Sequence, residues 1–115
     1  MAGCHLKKFS ALHIPSTFIG ANENKFQTKQ GVTYYDGRPF SGWQYLLYEN
    51  GDTALLIPFL NGKESGVEKK WWPGKQLSEI RIYEKGKKRG EHKSWWQNGR
   101  LKFVYHFKND EYDGE

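Results

Sequence analysis

Basic side chains beside tryptophan pairs are the residues whose chemistry stands out in this sequence. Five of them lie in one short segment: Lys85, Lys87, Lys88, Arg89 and Lys93. Tryptophan prefers a membrane interface, and each lysine near it adds about 1 kcal/mol of attraction to an anionic lipid surface. The same combination suits single-stranded nucleic acid, whose bases stack on aromatic rings. This segment is therefore a candidate anion-binding site; the alternative is that the lysines only solubilise a sheet edge.

The charge of the chain is unevenly distributed. The net charge is +5, but residues 61–108 carry thirteen Lys and Arg against five Glu, hence +8, and the remainder carries −3. A basic half favours an anionic partner such as a membrane surface. A soluble sheet with lysines on its wet face is the simpler alternative.

The sequence does not carry the motifs of an enzyme. A lipid kinase needs a glycine-rich nucleotide loop, a phosphate-binding lysine and metal-binding acidic residues. Neither Gly-x-Gly-x-x-Gly nor Gly-Lys-Ser/Thr occurs in the chain. Glu64, Glu68 and Glu79 could pair for acid–base work, but a solvated strand face explains them more simply. We expect no catalytic residues and no cofactor.

The four histidines are not spaced as metal ligands. No His-x-x-x-His pair occurs and no carboxylate cluster accompanies them, so no metal site is expected. His92 and His106 fall at predicted strand positions, where we expect half-exposed structural histidines.

The chain opens with Met-Ala-Gly-Cys, and Cys4 is its only cysteine, which excludes an internal disulfide. Ala-Gly-Cys resembles the end of a bacterial lipoprotein signal, whose cysteine is lipidated, although the apolar segment that should precede it is absent. This interpretation makes Cys4 a lipidation site and places the protein at the cell envelope, associated with the membrane. The alternative is a free thiol in the tail of a cytoplasmic protein.

Glycines recur at a regular spacing, which is the signature of internal repeats. One set is separated by three equal intervals: Gly42, Gly66, Gly90 and Gly114. A second set precedes it, with an aspartate in place of the last glycine: Gly37, Gly62, Gly86 and Asp110. A third set follows: Gly51, Gly74 and Gly99. The spacing predicts repeats at about 37–61, 62–85 and 86–109, with a truncated fourth from 110.

The glycines are expected to form the turns between strands. The Asn-Gly pairs ending at Gly51 and Gly99 predict hairpins with type I′ turns, because both residues accept a positive φ. At Gly74 the preceding proline fixes φ and the glycine goes positive. The Gly-x-x-x-Gly segments are predicted to connect one hairpin to the next, and Asp110 is acceptable there because aspartate visits the left-handed region.

Strand-length segments lie between these turns. The first strand of each unit is predicted at 43–48, 67–72 and 91–96, and the second at 53–60, 77–83 and 101–107. Five Trp, seven Tyr and seven Phe together with frequent glycine favour an all-β fold. We expect repeated antiparallel β-hairpins with a 24-residue period, stacked into an elongated meander sheet. In each Trp pair one ring should face the core and the other the opposite face.

The ends of the chain depart from this pattern. Residues 1–24 are predicted to be an N-terminal tail or loosely docked cap, and 25–115 the repeat domain. The strand that contains Phe107 is predicted to be an exposed edge, which would permit edge-to-edge self-association.

The stretches "YYDGRPFSGWQYLLYENG", "NGKESGVEKKWWPGKQL" and "KGKKRGEHKSWWQNGRLKFVYHFKND" resemble MORN-type repeats in the variant form common in bacteria. The resemblance covers residues 32–115 and departs from the pattern in the extra residue of "GRPFSG", in Pro73 and in Asp110. It implies an elongated sheet of β-hairpins. Eukaryotic MORN repeats are associated with membranes and with phosphatidylinositol phosphate kinases, and bacterial variants are often named as such kinases or as antitoxins. Neither name brings catalytic residues onto this sequence.

The function expected from these features is a non-enzymatic module that binds a protein partner through an aromatic-rich sheet face. The candidate face consists of Tyr48, Trp71, Trp72, Trp95 and Trp96. One alternative is binding of an anionic membrane surface, a phosphoinositide or another polyanion through the basic repeats. A second alternative is an antitoxin-like partner of a toxin. Nucleic acid is disfavoured as a partner.

Overall fold

A computed structural model describes residues 13–112. These residues contain no helix, and 61% of them are in strands. Thirteen strands follow one another in this part of the chain: β1 Phe18–Gly20, β2 Phe26–Lys29, β3 Val32–Tyr35, β4 Arg38–Pro39, β5 Gly42–Leu47, β6 Thr53–Leu60, β7 Lys63–Glu64, β8 Gly66–Trp71, β9 Leu77–Glu84, β10 Lys87–Lys88, β11 Gly90–Trp95, β12 Leu101–Lys108 and β13 Glu111–Tyr112. The prediction of an all-β fold with antiparallel hairpins is confirmed.

Three hairpins build the large sheet: β5–β6, β8–β9 and β11–β12. Each hairpin joins the next through two residue pairs, Leu55–Lys70 and Leu56–Lys69 at the first joint, then Glu79–Ser94 and Ile80–Lys93 at the second. The short strands β7, β10 and β13 fold back on β6, β9 and β12. The first strand of each hairpin begins at the glycine that precedes the predicted strand, and it also ends one residue earlier than predicted.

The type I′ turns do not lie where the sequence predicted them. Both central residues have positive φ in the links that lead to the short strands: Asn61-Gly62, Lys85-Gly86 and Asn109-Asp110. In the Asn-Gly hairpins only the glycine does, with Gly51 at φ 94° and its N–H donating to Tyr48 O at 2.9 Å. This is a type I turn followed by a left-handed glycine, which the register shift after Leu46 accommodates. The left-handed conformation predicted for Asp110 is confirmed at φ 72°.

The N-terminal third departs from a single meander. Strands β2, β3 and β4 form a separate three-stranded sheet rather than the start of the large one. The two sheets meet at Gly62, whose carbonyl accepts from Thr33 N and whose N–H donates to Phe40 O. A Cβ at Gly62 would overlap a methyl carbon of Val32, so only glycine permits this approach. Within the segment predicted to be a tail or cap, β1 pairs in parallel with β5, a strand that the sequence did not predict.

The buried residues are few and several are polar. Phe40 and Phe59 are buried where the two sheets meet, with 5.8 Å between their ring centroids, and Pro58 is buried on the opposite face of β6. The buried polar residues are Ser65, Glu68, His92 and Ser94. The strand register places the last three of these on the same face of the large sheet as Phe59. This face therefore buries polar side chains as well as rings, and each needs a hydrogen-bond partner.

Candidate functional site

Aromatic rings near the turns of the three hairpins form the aromatic end of the sheet, which comprises Tyr48, Trp71, Trp72, Trp95 and Trp96. Two of these rings are tethers. The hydroxyl of Tyr48 donates to Trp71 O at 2.6 Å, and Nε1 of Trp72 donates to Trp95 O at 3.0 Å. Each ring thus binds its own hairpin to the backbone of the next hairpin.

Trp96 occupies the same position in the last hairpin but has no such tether. Its ring is 50% exposed, and no acceptor for Nε1 occurs in residues 13–112. The ammonium of Lys102 lies 4.6 Å from the ring centroid, a cation–π contact on one face. None of the five rings is fully buried; Trp71, Trp72 and Trp95 are half-buried, whereas Trp96 is exposed. The aromatic end therefore contains two tethered rings, Tyr48 and Trp72, and an exposed ring, Trp96, at the corresponding position of the last hairpin.

Other large apolar side chains of the last hairpin and of β13 are also exposed. Leu101, Tyr105 and Tyr112 are 55%, 43% and 56% exposed. Phe103 stacks on Tyr105 at 4.8 Å between ring centroids, and Tyr112 meets Tyr105 edge-on at 5.4 Å. Contiguous exposed apolar surface of this kind is typical of an interaction site.

The predicted anion-binding residues do not converge on one site. Arg89 forms an ion pair with Glu84, and Lys93 pairs with Glu91 at 3.2 Å. Lys88 places its ammonium 5.1 Å from the centroid of the Phe107 ring. Within the described part of the chain, Lys85 and Lys87 alone of the five form neither an ion pair nor a cation–π contact. Two of the five predicted anion-binding cations, Arg89 and Lys93, are therefore already paired with carboxylates.

Arg89 also marks a break in the repeat. In the two earlier units a serine hydroxyl accepts from the backbone of the next turn: Asn61 N donates to Ser41 Oγ at 2.8 Å and Lys85 N to Ser65 Oγ at 3.3 Å. Arg89 stands one repeat period after Ser65 and cannot accept such a bond.

A pair of carboxyl groups lies where the sequence suggested a solvated face. Glu68 is only 6% exposed, and its side chain shares a hydrogen bond with that of Glu64. Burial, followed by the bond and charge of Glu68, raises the pKa of Glu64 to about 8, so the pair retains one proton at neutral pH. The expectation of a solvated strand face is wrong for Glu68, which is buried, while Glu64 is half-buried beside Thr28 and Thr33 of the second sheet.

A cavity of about 330 Å³ adjoins this carboxyl pair. It is lined by Thr28, Thr33, Phe59 and Glu64 and by the backbone of Gly31, Gly62 and Gly86. One carboxyl oxygen of Glu64 is buried without a hydrogen-bond partner among the described residues.

Glu79, the third candidate carboxylate, has a different environment. It lies 2.7 Å from Arg81 and 3.3 Å from Lys70. Burial alone would raise its pKa, but the hydrogen bond and charge of Arg81, with a smaller contribution from Lys70, lower it overall. Glu79 is therefore an ionised partner of two cations.

The two strand histidines have different environments. His92 is 2% exposed, and its Nε2 lies 3.1 Å from Ile82 N and 3.0 Å from Ile82 O. Burial lowers the pKa of His92, which keeps the ring neutral. His106 is half-exposed beside Glu91, as expected, whereas the half-exposed position predicted for His92 is wrong. The ring of His92 packs between Tyr83 and Phe107. Its Nε2 contacts the backbone of Ile82 at the place where a residue of a neighbouring strand would otherwise pair.

Pro58 is the sequence feature that could have indicated the buried polar side chains Glu68 and His92. A proline inside a predicted strand withholds a ladder hydrogen bond. Pro58 and Glu68 stand one repeat period before Ile82 and His92. At the first joint Pro58 has no N–H that could donate to the Glu68 side chain. Glu68 interacts with Glu64 instead.

Comparisons with models of protein families, with curated proteins and with solved structures find no match for this chain. Residues 13–112 contain no helix long and apolar enough to cross a membrane, and no group of three or more potential metal ligands. Cys4, the predicted lipidation site, lies outside the described residues.

Proposed function

We propose that the protein is a non-enzymatic interaction module of MORN-repeat-like hairpins, which binds a protein partner through the aromatic end at the last hairpin. The observation that carries this proposal is the difference between Trp96 and its counterparts. Tyr48 and Trp72 donate to the next hairpin, whereas Trp96 offers an exposed ring and, within residues 13–112, an N–H without an acceptor. A partner backbone that supplies a carbonyl to Nε1 of Trp96 would repeat the contact made twice within the chain.

Recurring backbone contacts support the repeat interpretation. The N–H of Gly62 donates to Phe40 O, that of Gly86 to Glu64 O and that of Asp110 to Lys88 O, each at the same separation along the chain. The long hairpins begin at Gly42, Gly66 and Gly90. Units that repeat their contacts with the next unit form stacked arrays with extended binding surfaces.

We assign the Glu64–Glu68 pair to the fold rather than to catalysis. Glu68 stands at the position that His92 occupies one unit later, where the side chain bonds within the protein. A structural role explains both residues, because each satisfies a polar group at the joint between hairpins.

Binding of anionic lipid or another polyanion is the alternative. Lys85 and Lys87 support it, since neither forms an ion pair in the described chain; the pairing of Arg89 and Lys93 weakens it. Retention on anionic liposomes at low salt, release at high salt and loss in Lys85→Glu/Lys87→Glu would favour this alternative. An antitoxin role remains a more specific form of protein binding, with a toxin as the partner.

The experiment is site-specific photo-crosslinking followed by direct binding. A photoreactive residue at position 96 should capture a partner that the same residue at exposed Lys29, in the second sheet, does not capture. With that partner purified, Trp96→Ala should weaken binding by about 2 kcal/mol or more, as for a central aromatic contact. The matched control is Leu47→Ala, which removes an equally exposed apolar side chain from the first hairpin and should change the affinity little. Equal losses in both variants would contradict the proposal.

A further inference from the structure

The outer side of β12 lacks a complete strand partner. Strand β13 covers Phe107 and Lys108, and no other described strand pairs with β12 on that side. In β6 and β9 the corresponding sides are occupied by β8 and β11. Among residues 13–112, the outward-facing backbone groups of residues 101–106 therefore have no strand partner.

The direction of these backbone groups follows from the adjacent turn. Asn109 and Asp110 both have positive φ, so the flanking Lys108 and Glu111 exchange backbone hydrogen bonds. Because the direction alternates along a strand, the N–H and C=O groups of Lys102, Val104 and His106 also point outward. The residues that correspond to His106 one and two units earlier, Ile82 and Pro58, point outward in this way. Ile82 O accepts from Arg89 N at 2.9 Å, and Pro58 O accepts from Ser65 N at 3.1 Å.

The side chains along this edge are self-complementary. Leu101, Phe103 and Tyr105 share one face of β12, while Lys102 and Val104 lie on the other. In an antiparallel pairing of two identical strands centred on Phe103, Leu101 lies opposite Tyr105 and Lys102 lies opposite Val104. All apolar side chains on the first face then meet apolar side chains, and no like charges oppose each other.

We propose that a second copy of the chain docks on this edge, so that two β12 strands pair antiparallel about a two-fold axis through Phe103. Lys102 and the partner's Val104 exchange backbone hydrogen bonds, as do Val104 and the partner's Lys102. Leu101 packs against the partner's Tyr105, which covers two exposed apolar side chains. The two large sheets become one continuous sheet.

Strand β13 determines the register. A pairing centred on Val104 would place Phe107 of one copy opposite Leu101 of the other. Tyr112 already pairs with Phe107 on that side, so it would occupy the place of Leu101. Centring the pair on Phe103 moves the overlap away from β13 and leaves residues 101–105 to form the interface.

The opposite edge of the large sheet ends in β1, a strand of only three residues that cannot pair along the whole of β12, so we expect association to end at two copies. Strand β1 covers β5 in parallel, Trp43 N donates to Thr17 O and Ala21 N to Tyr45 O, both at 2.7 Å, and Phe18 stacks on Trp43. A head-to-tail contact of β12 with β5 would have to displace these bonds. An isologous contact between two β12 strands closes on itself and forms a dimer rather than a filament.

The test measures the mass of the full chain in solution as a function of concentration, by sedimentation velocity with light scattering. We expect a monomer–dimer equilibrium without larger species. Val104→Pro should abolish the dimer, because it removes an N–H that only the dimer uses, while Val104→Thr should retain it. Pro58 shows that an outward-facing position of a second strand accepts proline within this fold. Circular dichroism verifies that the variants remain folded.

A charge exchange tests the register even if Val104→Pro fails to fold. Leu101→Glu and Tyr105→Lys should each raise the dimer dissociation constant by about tenfold or more, equivalent to about 1.4 kcal/mol. In the double variant the new glutamate of each copy lies opposite the new lysine of the other, and the affinity should recover to within about threefold of the wild type. The two positions are well separated along one strand and share no pairing within it, so this recovery cannot arise inside a monomer.

The outcomes separate the candidate occupants. A protein that is monomeric at every concentration, or a dimer indifferent to Val104→Pro and to the charge exchange, would overturn the proposal. Amide protection of residues 101–106 that arises only when another protein is added would assign the edge to that protein instead. The measurement uses the chain alone, so the dimer and the partner binding proposed above can fail independently.

Discussion

The two joints of the large sheet have the same backbone arrangement and different chemistry. At the first joint, between β6 and β8, Pro58 offers no N–H and Glu68 pairs with Glu64. At the second joint, between β9 and β11, Ile82 offers an N–H and a carbonyl, and His92 contacts both. At each joint only two residue pairs link the neighbouring strands, and a buried polar side chain lies where this pairing ends.

This difference shows how two joints with the same backbone pairing can tolerate divergent side chains. The requirement at each joint is a satisfied polar group rather than a particular residue, so a shared proton meets it at one joint and a neutral imidazole at the other. The two solutions respond to pH in opposite ways. The raised pKa of Glu64 destabilises the fold as pH rises from 4.5 towards 8, whereas the lowered pKa of His92 destabilises it as pH falls below 6.5.

The largest expected effect concerns the second joint. His92→Ala removes a ring packed between Tyr83 and Phe107 and leaves the N–H of Ile82 without its acceptor. We expect a loss of about 2–4 kcal/mol in the free energy of unfolding, measured by urea denaturation at pH 8. His106→Ala is the control, because its contact with Glu91 is exposed and its loss should change the stability little. Similar losses in the two variants would refute the structural role of His92.

The first joint should reveal itself through pH. Glu64→Gln abolishes the titration of the pair at that position, so the variant should match the wild type near pH 4.5 and exceed it increasingly up to about pH 8. The site is partly exposed, so we expect a gain on the order of 1–2 kcal/mol at pH 9 rather than the full value of the shift. Chemical denaturation across this pH range measures the gain. Glu49→Gln, at an exposed turn position, should show no such dependence; a flat difference for Glu64→Gln would argue against the shared proton.

The tethered and free rings of the aromatic end should differ less strongly. Trp72→Phe removes the donor to Trp95 O and should cost about 1 kcal/mol. Trp96→Phe removes an N–H without an acceptor in the described chain and should cost less than about 0.5 kcal/mol. Thermal unfolding of the two variants measures the contrast. Equal costs would mean that Trp96 is held within the monomer after all.

The smallest effect is expected where the repeat breaks. Arg89→Ser restores the hydroxyl that Ser41 and Ser65 provide in the earlier units and loses an exposed ion pair with Glu84. The two changes should nearly cancel, within about 0.5 kcal/mol of the wild-type stability. Ser65→Ala, which removes a buried hydroxyl that accepts from Lys85 N and donates to Lys63 O, should be the more destabilising variant. A marked loss in Arg89→Ser would show that the arginine stabilises this link in a way that the ion pair does not explain.

The sequence predicted the second strands of the hairpins closely and their turn chemistry poorly. The second strand of the first hairpin, Thr53–Leu60, lies where alternation and the following glycine placed it. The type I′ turn lies at Asn61-Gly62 rather than at the Asn-Gly before Asp52, and both dipeptides carry the same signal. Only the strand pairing shows which loop contains two residues and which is longer. The sequence did not predict the second sheet, because its strands are short. Its position depends on the close approach of Val32 and Thr33 to Gly62, which only the tertiary structure shows.

The candidate site divides in the same way. The sequence by itself determined the strand class, the spacing of the hairpins and the clustering of rings and cations, because these follow from alternation and from turn residues along the chain. Tertiary structure alone decided that Tyr48 and Trp72 are tethers while Trp96 lacks one in the described chain, that Arg89 and Lys93 are paired, and that Glu68 and His92 are buried. Exposure and protonation depend on which neighbour each strand meets across a joint, and that neighbour belongs to a different repeat unit of the sequence.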